Sequence, residues 1–167
     1  IALLMGSAWV WVQYQMRIPE HATVERIRES YGAVLDKLRA LARERDLSDL
    51  AANPKWVNDL NEKLSSPEMH KLFADTEILD AHFVLAGRKL ASVYRRPGQR
   101  GHRGHWIAEP PSIGEAALAR GWTSLDGASV DTLEYLEAAR DSGGASVTIQ
   151  LSLRLDAFRD GPLTEYR

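Results

Sequence analysis

The chain has 167 residues, 44% of them hydrophobic and 26% charged, with a formal net charge of −2. A folded domain fits these values; wholesale disorder and a strongly basic nucleic-acid binder do not. With no cysteine, a disulfide scaffold, a Cys-ligated zinc site and a thiol nucleophile are excluded.

The first stretch, IALLMGSAWVWVQYQM, is uncharged over 16 residues. As a helix it would extend roughly 24 Å at 1.5 Å per residue, against a bilayer core of about 30 Å. Trp9, Trp11 and Tyr14 cluster just ahead of Arg17, and Pro19 follows. Aromatic rings favour the headgroup zone, Arg can snorkel past it, and Pro ends the helix. Residues 1–16 are therefore expected to be a truncated transmembrane anchor in contact with lipid. A segment docked on the core and a signal-peptide core are the alternatives, and the latter lacks a basic leading region.

In HATVERIRESYGAVLDKLRALARERD, Thr23 can cap a helix. Val24, Tyr31 and Leu38 fall at one heptad position, with Ile27, Val34 and Leu41 at the other. Residues 17–50 are expected to form a helical stalk that could self-associate through this seam. The competing reading is an amphipathic helix packed on its own domain. Asn53-Pro54 and Ser66-Pro67 each put a capping side chain before a Pro suited to the first helical position. The first helix would bury Trp56, Val57, Leu60 and Leu64, and the second Met69, Leu72 and Phe73, with His70 in solvent.

At Ile78 the period changes to two. Leu79, Ala81, Phe83 and Leu85 share one strand face, with Asp80 and His82 on the other, expected exposed or at an edge. Residues 86–88 suggest a turn and KLASVYRR a returning strand. The basic stretch RRPGQRGHRGHW follows, with Arg95, Arg96, Arg100, Arg103, His102 and His105. Its functional readings are an anion or acidic partner, a metal at the two histidines, and a pH response; the plain one is a solvated loop. The metal set is incomplete, because Glu109 is the nearest carboxylate.

SIGEAALARG then looks like a short helix and GWTSL like a short strand. Ser129 is placed to cap a helix over VDTLEYLEAARDSGG that buries Val130, Leu133, Leu136 and Ala139 and stops at Gly143-Gly144. ASVTIQLSLRLDA alternates strictly, which marks a strand with one dry face. Its other face carries Ser146, Thr148, Gln150 and Ser152, open to solvent or to a partner.

The fold class expected is α+β, with helices on one face of a small antiparallel or mixed sheet and residues 51–167 as the domain. Two architectures accommodate the order: a PAS- or Cache-like sensor, in which a long N-terminal helix leads into an antiparallel sheet, and a ferredoxin-like module on a stalk. SLDGASVDTLEYLEAARDSGGASVTIQLSLRL resembles the latter, as found in assembly proteins of type II secretion and type IV pilus machines. No phosphate-binding loop, nucleophile elbow or HExxH pair is present. Asp75 with Glu77, and Asp131 with Glu134, could form carboxylate pairs, but helices and turns commonly carry such pairs in water, and a non-enzymatic role is favoured.

The leading expectation is a single-pass, membrane-anchored assembly module that binds other protein subunits, with no nucleic acid, metal or cofactor. The alternative is an extracytoplasmic ligand-sensing domain of a signal-transduction receptor. Both place the domain outside the cytoplasm, at a bacterial inner membrane.

Overall fold

The computed structural model describes residues 21–85, 88–95, 99–102, 111–125 and 128–158. The uncharged stretch at the start of the chain, with the anchor expected there, lies outside the described residues. None of the described helices is long and apolar enough to cross a membrane.

Residues 21–30 are helical (α1), so Thr23 lies inside the helix and is not its cap. Helix α2, Gly32–Glu44, continues it. Tyr31 N donates to Ile27 O at 2.9 Å and Leu35 N to Tyr31 O at 3.0 Å, which carries the helical bonding across the turn. Three short helices follow: α3, Leu47–Ala52; α4, Pro54–Leu64; and α5, Pro67–Ala74. The caps of α4 and α5 form as expected. Asn53 accepts from Lys55 N and Ser66 from Met69 N, with Pro in the first turn of each. Leu60, Leu64, Met69 and Phe73 are buried, and His70 is exposed.

The sheet has six strands: β1 Ile78–Leu85, β2 Arg88–Arg95, β3 Gln99–His102, β4 Ala116–Leu125, β5 Ala128–Arg140 and β6 Ser146–Arg154. Their order is β2-β1-β6-β5-β4-β3, antiparallel at every pairing. The chain is α+β. Arg95 ends one edge strand and Gln99 begins the other. Four peptide units reach at most about 15 Å, whereas five strand spacings in a flat sheet need about 24 Å. The sheet therefore coils until its two edges approach each other at that end.

One core joins the helices to one face of the sheet. Val24, Ile27, Val34, Leu35, Leu38 and Leu41 pack with Ala81, Phe83, Leu133, Tyr135, Val147, Ile149, Leu151 and Leu153. The heptad seam is thus occupied within the chain: five of its six residues are buried there, and Tyr31 packs against the same cluster. The helix forms part of the domain's core and does not stand off from it.

Two segments expected as helices are strands. SIGEAALARG runs into β4, and VDTLEYLEAAR is the body of β5, paired residue by residue from Ala116↔Glu137 to Leu125↔Ala128. The reason is burial on both faces. Leu133, Tyr135 and Ala139 point to the core while Leu136 and Ala138 are buried on the other side. Apolar residues at both parities imitate a helical spacing. The ferredoxin-like reading needed a helix here and loses it. Gly143-Gly144 form the β5–β6 turn, with Gly144 at φ +85°. Asp141 ties that turn to the helices: its Oδ1 accepts from Ala145 N at 2.8 Å and its Oδ2 from Leu47 N at 3.1 Å.

Leu79 also departs from expectation. A register shift between Ile78 and Asp80 takes it out of the face shared by Ala81 and Phe83, and Ile78 joins the core instead.

Candidate functional site

The face of the sheet opposite the helices carries the polar residues, and they are buried. Asp80 and Ser152 are fully buried; His82 is 1% exposed, Gln150 2% and Glu134 3%, with Thr123, Thr132 and Thr148 buried beside them. This corrects the expectation that His82 is exposed or at an edge, and of the two readings of the Ser/Thr/Gln face of β6, solvent exposure does not hold for Thr148, Gln150 and Ser152. The register sets these residues in rows across three strands. Asp80 on β1 opposes Ser152 on β6, which opposes Glu134 on β5. The next row is His82, Gln150 and Leu136; the one beyond is Val84, Thr148 and Ala138. Along the strands the face grades from carboxylates through amide and imidazole to hydrocarbon.

Glu134 is the hub. Its Oε1 accepts from Thr132 Oγ1 at 2.6 Å, and its Oε2 from Ser152 Oγ at 2.6 Å and Gln150 Nε2 at 2.9 Å. Gly121 on β4 makes room for it, since a Cβ there would come within 2.7 Å of Glu134 Oε1 and 2.9 Å of Thr132 Oγ1. His82 Nε2 stands 3.3 Å from Asp80 Oδ2. Gln150 Oε1 is buried and, among the described residues, has no hydrogen-bond partner. Buried amide oxygens are rarely left so, because the lost hydration is not returned. Among the described residues, no group of three or more His, Asp or Glu side chains has the geometry of a metal site.

The other face holds a charged clamp. Glu137 on β5 accepts from Arg39 through both oxygens, Nε at 2.6 Å and Nη2 at 2.9 Å, and from the Tyr135 hydroxyl. Arg28 Nε donates to Tyr135 Oη at 3.3 Å. Burial alone would raise the Glu137 carboxyl. The bonds from Arg39 and Tyr135, with the charges of Arg39 and Arg28, outweigh that and hold it below its ordinary value. Burial, then the bond to Glu137, pushes the Tyr135 hydroxyl up to about 12. Arg39 stays charged throughout the accessible range, its pKa raised chiefly by the Glu137 bond. The clamp joins α1 and α2 to the same strand that carries Glu134.

The basic stretch runs from one edge strand of the sheet to the other, where the coiling brings the two edges near each other. Arg95 ends edge strand β2, while Arg100 and His102 lie on β3 at the opposite edge. Arg96, Arg103 and His105 lie outside the described residues. Neither proposed carboxylate pair is brought together as a buried acid–base pair. Asp75 and Glu77 are exposed, and Asp131 is exposed on the face opposite Glu134.

Asp80 and His82 were legible as a polar strand face; Glu134, Gln150, Ser152 and Thr132 were missed as a group. One signal was present: the polar side of β6 carries no charge from Ser146 to Ser152. A solvated strand face ordinarily carries some Lys or Glu, so an uncharged run of this kind is a mark of burial. No protein-family model matches the chain, and no curated protein sequence matches it significantly.

Proposed function

We propose that this chain is the ligand-sensing domain of a membrane-anchored receptor, with the domain outside the cytoplasm and the enclosed polar face as its ligand site. The observation that carries this reading is the burial of Asp80, His82, Glu134, Gln150 and Ser152 on the sheet face away from the helices. Polar groups cost free energy when taken from water, and a purely structural sheet would bury hydrocarbon there. Enclosed sites with a few convergent polar groups are the usual form of small-molecule sites.

A route for the signal follows from β5. Glu134 faces the site, while Tyr135 and Glu137 hold Arg28 and Arg39 of the N-terminal helices. A ligand that shifts Glu134 acts on the strand to which those helices are clamped. An N-terminal helix leading into an antiparallel sheet is also the arrangement of PAS- or Cache-like sensors.

The assembly-module reading keeps less support. Its heptad seam is used inside the domain, which leaves the edge strands β2 and β3 as its contact surface. The deciding experiment is a small-molecule screen on the purified chain by thermal shift, with hits repeated on Glu134→Gln. Ligands that raise the melting temperature of the parent and lose that effect in the variant support sensing. A screen without hits, together with a stable complex captured through β2 or β3, would establish the assembly module instead.

A further inference from the structure

We infer that α1 is a movable arm that swings on the Tyr31–Gly32 turn and is latched to the sheet through Arg28, while α2 stays fixed to β5. Three observations carry this. The first is the break between the two helices. Tyr31 stands at φ −119° and ψ 22°, away from the helical values of about −63° and −42°. Gly32 follows, and outside its own helix and chain neighbours no atom lies within 4 Å of where a Cβ would stand on it. The Tyr31 side chain, by contrast, packs against the core and supplies a fixed pivot. A few residues at the end of an element are where such a change of backbone angle is absorbed.

The second observation is unequal anchorage. Val24 and Ile27 are the only apolar residues of α1 buried in the core, whereas α2 buries Val34, Leu35, Leu38, Leu41 and Ala42. The hydrophobic contribution grows with the apolar area taken from water, so α2 is held by far the more strongly. Segments with few buried apolar contacts are the ones that open locally.

The third observation is the difference between the two arginines. Arg39 on α2 meets Glu137 with two short bonds, 2.6 and 2.9 Å. Arg28 on α1 reaches the sheet only at longer range. Its Nε lies 3.3 Å from Tyr135 Oη and 3.9 Å from Glu137 Oε2, and its Nη2 3.5 Å from Gly114 O, just ahead of β4. Its shortest bond, 3.0 Å, goes to Glu25 on its own helix. An N–H···O bond is at its best near 2.9 Å and weakens past about 3.2 Å. Arg28 can therefore release while the Arg39 pair stays closed. On the sensing reading, α1 is the element that answers a shift of β5; the hinge itself does not depend on that reading.

The test measures distances between spin labels on the full chain, without ligand. The chain has no cysteine, so introduced pairs are labelled specifically. Glu29→Cys with Ser146→Cys reports α1 against the sheet, and Ala40→Cys with Ser146→Cys reports α2; all three positions are exposed. In the parent, the α1 pair should show a broader distribution, with a longer minor distance, and the α2 pair a single narrow one. Arg28→Met should raise the ratio of long to short α1 distances about tenfold and leave the α2 pair unchanged. Glu25→Gln, which weakens only the bond within α1, should not reproduce that rise. Equally narrow distributions for both pairs, in parent and Arg28→Met alike, would overturn the inference. So would a broadening of both pairs together, which would show the helices moving as one, or a rise of equal size in Glu25→Gln. If Arg28→Met does not fold, the two pairs in the parent decide alone: a broader α1 distribution upholds the hinge and equal widths overturn it. Ligand hits in the thermal-shift screen bear on sensing only, so either reading can fail without the other.

Discussion

Replacing Glu137 with Gln isolates the clamp between the helices and β5. The substitution keeps size and one acceptor oxygen but removes the charge that holds Arg39 by two bonds of 2.6 and 2.9 Å, and Tyr135 by a third. The Glu137 side chain is 7% exposed and that of Arg39 26%. Breaking a fully buried ion pair costs about 3–5 kcal/mol. Arg39 can regain some water and keeps Asp36 at 2.7 Å, so a loss of about 2–3 kcal/mol is expected. For a chain of this size that is a fall in Tm of about 5–10 °C.

The pH dependence has a definite sign. Glu137 has a depressed folded pKa, so its contribution is complete above the unfolded carboxylate value of about 4.3 and is lost as pH falls through the lower folded value. Urea denaturation of parent and Glu137→Gln should give a constant gap from pH 7 to about 5, closing below pH 4. A gap under about 0.5 kcal/mol at pH 7, in the range of an ordinary surface substitution, would refute the clamp. So would a gap that widens on acidification.

Leu38→Ala and Ile27→Ala should each cost about 2–4 kcal/mol in denaturation and leave the mass in solution unchanged; dissociation of an oligomer on mutation would show that the seam pairs between chains. Gly121→Ala should destabilise by about 1–3 kcal/mol, because its Cβ meets Glu134 Oε1 at 2.7 Å. Combining it with Glu134→Ala should recover part of that loss, and strict additivity would count against the contact. At Gly144, φ +85°, Asn should be tolerated far better than Val in thermal unfolding, and equal effects would argue against the turn. Carbonate extraction should leave residues 1–167 with the membrane and release residues 17–167; release of both would refute the anchor.

Much of the fold can be read directly from the chain. The caps at Asn53 and Ser66, the strands at Ile78 and Ser146, and the core positions Val24 to Leu41 follow from local rules: a side chain that caps an amide, and a period of two or of three to four. These signals fail where both sides of a strand are buried. Leu133, Leu136 and Ala139 in β5 carry the apolar spacing of a helix because one side meets the helices and the other the enclosed face. Only the pairing of β5 with β4 and β6 decides between the two.

The candidate site is tertiary for the same reason. Asp80 and Glu134 are 54 positions apart and fall in one row only because β6, the last strand, inserts between β1 and β5. The basic stretch joins the two edge strands, and only the coiling of the sheet lets so short a segment connect them. Local patterning determined which residues prefer a helix, a strand or a turn, and that helices and sheet would share an apolar core. Which polar residues leave water depends on the strand order and the coiling of the sheet, since burial depends on neighbours brought from far along the chain.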